Sequence, residues 1–127
     1  LTCTSSDGKD TDLIPDVYEG GLKVWECSLD LVAHLHQQRR ELGLEVERAS
    51  AADVNVKGAP GKIPACLELG CGHGFPGIYV LQRARAGWSV CFSDFNDDVL
   101  RSVTWPNVLM NVPGDQRFRA TYVAGDR

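Results

Sequence analysis

Leu67-Glu68-Leu69-Gly70-Cys71-Gly72-His73-Gly74-Phe75-Pro76-Gly77 carries a short apolar run with an acid at its centre into a loop with glycine at every second position. Such a run is a strand entering a tight turn that a ligand approaches closely. Glycine is needed where the backbone takes positive φ or touches a bound group, so Gly70, Gly72, Gly74 and Gly77 mark a nucleotide-type cradle. The plainer alternative is an ordinary strand-to-helix turn with Glu68 solvated, and it does not require this many glycines.

The acid separates two kinds of cradle. Gly72-His73-Gly74-Phe75-Pro76-Gly77 fits the G-x-G-x-x-G of dinucleotide sites, and Asp94 follows at about the 20-residue distance expected of a ribose ligand. Leu67 through Gly74 also fits apolar-acid-apolar-Gly-x-Gly-x-Gly, which suits S-adenosylmethionine. That donor carries an ammonium and a sulfonium but no phosphate, so Glu68 attracts it, whereas the same carboxylate repels a pyrophosphate. Glu68 therefore favours the methyl donor.

Outward from the loop, the near-continuous apolar run Ile63 to Leu69 predicts a first strand covered on both faces. Pro76 suits the first turn of a following helix that continues over Gly77 to Ala86 and closes at Gly87. Ser89 to Ser93 reads as a second strand ending at Asp94, Asp97 to Met110 as a helix interrupted by Pro106, and Arg119 to Val123 as a third strand running into Gly125-Asp126. Before the loop, Leu22, Trp25, Leu29, Val32 and Leu35 recur at helical spacing, predicting a helix from Leu22 to near Leu42 with Gly43 as its stop. Residues 1–12 read as a loose arm, 13–21 as an ordered loop leading into the helix, and 45–61 as an exposed connection. Alternation of helix and strand implies an α/β fold with a right-handed parallel sheet.

In such a sheet ligands lie beyond the carboxyl ends of the strands, so Glu68, Asp94 and Asp126 converge on one crevice. An ionised Asp94 can accept from two ribose hydroxyls together, and Asp126 is placed for an adenine amino group. Strand-end acids also serve as turn or N-cap residues, and that alternative stands beside the ligand role.

A chain of 127 residues with 43% apolar content supports one domain. Its net charge of -4 argues against a nonspecific nucleic-acid surface and is more compatible with a basic protein partner. No apolar run approaches the ~18 residues of a membrane span, and residues 1–12 lack the apolar centre of a signal peptide, so the chain reads as soluble and cytoplasmic or nuclear. The five cysteines form no C-x-x-C pair and read as reduced, buried thiols. Cys71 has no base placed by spacing to activate it, and neither His34 with His36 nor Cys71 with His73 has ligand spacing, so no metal is expected.

With these residues in view, the chain resembles the seven-strand class of S-adenosylmethionine-dependent methyltransferases, and within it the histidine protein methyltransferase family. The class resemblance rests on Leu67 to Gly74 and on the strand ends at Asp94 and Asp126. The family resemblance rests on Asp12 to Cys27, on Ser93-Asp94-Phe95-Asn96, and on Val103-Thr104-Trp105-Pro106-Asn107-Val108 with Asn111 following. It implies a Rossmann-like fold and transfer of a methyl group to a histidine ring nitrogen of a large-subunit ribosomal protein. It carries Glu68, Gly70, Cys71, Gly72, Gly74, Asp94 and Asp126 as donor contacts and places Phe95 and Asn96 beside the adenosine. Trp25 is either a pocket wall or a core aromatic on the stripe of the leading helix, and Tyr18 either a pocket wall or a loop anchor. No catalytic side chain is assigned.

The family's domain continues for about as many residues again after the third strand. The chain starts at Leu1 and ends at Arg127, so the expectation is a partial domain resembling the family's N-terminal half. Its first strand is then an open apolar edge: either another segment or chain covers it, or the piece is only marginally stable alone. Two further functions stay open: a noncatalytic donor-binding or scaffold half-domain, and an NAD-dependent oxidoreductase.

Overall fold

A computed structural model of the chain describes residues 20–44, 64–84 and 88–125. The expected arm over 1–12, the connection over 45–61, Tyr18, Gly87 and Asp126 lie outside the described residues.

Three parallel strands lie in the order β1-β2-β3: β1 is Ala65–Leu69, β2 is Ser89–Asp94 and β3 is Ala120–Ala124. Register pairs Glu68 with Phe92 and Phe92 with Tyr122, so these three share one face. Helix α1 (Glu26–Gln37) precedes β1, and α2 (Phe75–Arg83) joins β1 to β2. After β2 come α3 (Asp97–Val99), a π turn (Leu100–Thr104) and α4 (Trp105–Asn111), then a 3-10 turn (Gly114–Arg119) that leads into β3. This is an α/β, Rossmann-like arrangement. Among the described residues no helix is long and apolar enough to cross a membrane.

The core lies between the Phe92 face of the sheet and helices α2 and α4. Leu81, Val90, Phe92, Val108 and Val112 are fully buried there, and Phe92 stacks on Tyr122 at 5.6 Å between centroids. The opposite face is not covered among the described residues: Leu67 is 60% exposed, Leu69 74% and Val123 50%. The expectation that the first strand is buried on both faces therefore fails for what is described. Apolar content alone cannot separate a two-sided strand from a one-sided strand whose outer residues happen to be leucine.

Helix α1 differs from the Leu22 to Leu42 expected. It begins only at Glu26 and ends at Gln37, with turns continuing to Gly43. Leu22 and Trp25 precede it and Leu29 is largely exposed, while Val32 and Leu35 pack against the core. The chain before Glu26 is seated against α3 instead, where Gly21 lies so close to Val99 that a Cβ there would meet its side chain at 2.8 Å. A helix started at Leu22 would lose that seating.

The interruption near Pro106 takes a specific form. Proline donates no N–H and its ring excludes the carbonyl four residues back, here that of Ser102, so the helix widens by one residue over Leu100–Thr104. Arg119, expected as the first residue of the third strand, instead closes the 3-10 turn. Its buried guanidinium donates to the carbonyls of Leu81 and Trp88 and to Gln116.

Candidate functional site

The carboxyl ends of β1 and β2 open into a cleft of about 370 Å³. Its floor is the loop after β1, where Gly70, Gly72 and Gly74 all take positive φ. Gly72 needs that freedom twice over, because a Cβ on it would also press on the Gly21 carbonyl at 3.3 Å. At Gly70, which lines the cleft, a Cβ would meet nothing within 4 Å, so the backbone there is bare towards open space. Gly77 serves packing instead: a Cβ would approach Phe92 to 2.4 Å and Glu68 to 2.6 Å, so only glycine lets α2 settle on the sheet.

Two acids meet in this cleft. Glu68 accepts a hydrogen bond from the Gly77 amide at 2.7 Å, which sets its carboxylate at the N-terminal turn of α2. Burial pushes its pKa up to about 7, with the Gly77 amide pulling the other way. Asp94, buried at the end of β2, accepts from Gly72 N–H at 2.9 Å through one oxygen and from Asn96 N–H at 3.0 Å through the other. An ionised carboxylate offers about four acceptor directions, so about two remain for a bound group. Lys23 also lines the cleft, with its ammonium 4.8 Å from the centre of the Trp25 ring.

Trp25 is 42% exposed, lines the cleft and donates from Nε1 to the Gly20 carbonyl at 3.0 Å. It precedes α1 and so lies outside that helix's apolar stripe. Phe95 lines the cleft and is about half exposed. Asn96 is not among the lining residues; its carbonyl accepts from the amides of Val99 and Leu100 and starts α3. Cys71 lines the cleft but its thiol is pushed up to about 12, chiefly by burial, with the charges of Glu68 and Asp94 adding and the Thr104 contact opposing. Burial thus disfavours the thiolate that nucleophilic attack requires.

Sequence reading missed what holds the loop from behind. Thr104, fully buried in the π turn, donates from its hydroxyl to the Gly72 carbonyl at 2.6 Å, and Asn107 donates to the His73 carbonyl at 3.0 Å. Both stood inside the Val103 to Val108 stretch. Only the widened turn brings them to the loop, and the single visible signal was the proline two residues after a buried threonine. The start of α1 and the chain just before it were also missed as a wall: Val24 ahead of the helix and Cys27, Ser28 and Leu31 on it all line the cleft.

The chain is 43% identical over 116 residues to histidine protein methyltransferase 1 homolog of Dictyostelium discoideum, covering 91% of this chain. By sequence it belongs to the histidine protein methyltransferase family. Histidine protein methyltransferase 1 of Schizosaccharomyces pombe is 40% identical over 79% of the chain, and the Rattus norvegicus homolog 40% over 81%. The chain spans 30%, 25% and 23% of the length of these three relatives. No family model matches it.

Proposed function

We propose that the cleft binds S-adenosylmethionine and that the protein transfers its methyl group to a histidine ring nitrogen of a protein substrate. The substrate that the family resemblance implies is a basic ribosomal protein. One observation supports this reading above the others: Glu68 and Asp94 meet in one glycine-floored cleft, and Glu68 takes the α2 amide that a pyrophosphate would need. A dinucleotide would have to bring its phosphates against that carboxylate, which counts against the NAD-dependent alternative.

The residues present fit the donor. Glu68 supplies negative charge for its cationic end, the open acceptor directions of Asp94 suit a vicinal diol, and the bare backbone at Gly70 permits close approach. Trp25 and Phe95 stand at the cleft wall, and Asp126 belongs to the same proposal. When bound, the donor supplies a methyl group on a sulfonium, so the sulfur leaves neutral as the nitrogen bonds to carbon. The chain then needs to orient and to exclude water rather than to move protons. The net charge of -4 suits a basic partner.

The test is amino-acid analysis after incubating the protein with methyl-labelled S-adenosylmethionine and ribosomal proteins. Label recovered as methylhistidine is expected. Label recovered only as methyllysine or methylarginine would overturn the histidine assignment.

A further inference from the structure

The loop after β1 lines the cleft with one side, and its other side rests on a helix whose register is irregular for a definable reason. Pro106 forces the π turn, and the π turn turns Thr104 inward under the loop. Thr104 is fully buried and uses both arms of its side chain. Its hydroxyl donates to the Gly72 carbonyl at 2.6 Å, and its methyl lies where a Cβ on Gly74 would meet it at 3.1 Å. One turn later Asn107 donates to the His73 carbonyl at 3.0 Å, and Asn111 donates to the Asn107 carbonyl at 2.8 Å. Asp94 meanwhile takes the Gly72 amide. The Gly72 peptide groups are thus held at both ends, by an acid from β2 and a hydroxyl from the π turn.

We propose that Thr104 and Asn107 are positioning residues that set the peptide planes of Gly72 and His73, and so fix the shape of the loop that receives the methyl donor. This rests on the donor-site reading above. Neither side chain lines the cleft, so each acts through the loop. Without the Thr104 hydroxyl the Gly72 carbonyl has lost its donor, and the Gly72–His73 peptide is free to rotate, because Asp94 holds only the preceding Cys71–Gly72 amide.

Two substitutions of one residue separate positioning from packing. Thr104→Val keeps the volume and removes the hydroxyl; Thr104→Ser keeps the hydroxyl and removes the methyl, which opens a small cavity. Calorimetric titration with S-adenosylhomocysteine, beside thermal melting of each variant, gives the readout. Thr104→Ser is expected to melt lower yet bind within about threefold of the native chain, and Thr104→Val to bind about tenfold more weakly, the loss of one hydrogen bond. Asn107→Ala, at a half-buried position, should also weaken binding while folding normally; it carries the test if Thr104→Val does not fold. Affinities that simply follow the melting temperatures, or an Asn107→Ala chain that binds like the native one, would overturn the proposal. Failure of the native chain itself to bind would instead remove the donor-site reading on which it rests.

Discussion

Glu68 shows most plainly how one residue is pulled two ways. Burial raises its pKa to about 7, so the folded state prefers the protonated carboxyl even though the Gly77 amide favours the charge. Because the folded value lies above the unfolded value of 4.5, the stability this group contributes is complete below about 4.5 and is lost as pH rises through about 7. Glutamine keeps an acceptor for the Gly77 amide and carries no charge. Glu68→Gln is therefore expected to melt close to the native chain at pH 4.5 and about 5 °C above it at pH 8. A difference of the same size at both pH values would show that the group does not titrate in this way. On the proposed reading the ionised form is the one a cationic donor favours, so the acid that costs stability at neutral pH would also attract the donor there.

Among the elements, β1 carries the clearest consequence of its surroundings. Among the described residues it is an edge strand, and Leu67 and Leu69 lie on the face that the described helices leave open. An apolar strand with an open edge is prone to pair with another copy of itself. Leu69 is 74% exposed, so Leu69→Lys should leave the melting temperature within about 1 °C and reduce concentration-dependent self-association in sedimentation. Unchanged association would mean that this edge is not the sticky one. Such elements were legible in the sequence to different depths. The strand, glycine loop and proline-led helix from Ala65 to Arg83 could be read because each signal is local: an apolar run, alternating glycines, a proline in the first turn. The start of α1 could not, since Leu22 and Trp25 keep helical spacing while the contact of Gly21 with Val99 holds that segment out of the helix. Thr104 and Asn107 were hidden for a related reason. Their partners lie more than thirty residues earlier, and a π turn shifts their register by an amount that periodicity does not report.

At the scale of the molecule, the cleft is assembled from pieces far apart in the chain. The ends of β1 and β2 supply the acids, the glycine loop the floor, and the Gly20 to Trp25 segment with the start of α1 the wall. Helix α1 is tied to α2 partly through His36, whose Nδ1 lies 3.0 Å from the Tyr79 hydroxyl, so the wall and the floor are fixed relative to each other. This assembly would make the described part of the chain a donor site in its own right, whatever the rest of a longer protein adds for its substrate. The most direct measurement is calorimetric titration of the chain with S-adenosylhomocysteine, with NADH as the control, in the native form and in Asp94→Asn. Saturable binding of S-adenosylhomocysteine alone, weakened at least about tenfold by Asp94→Asn, is the predicted result. Binding of NADH in its place, or no binding by a folded sample, would contradict the assignment of this cleft to the methyl donor.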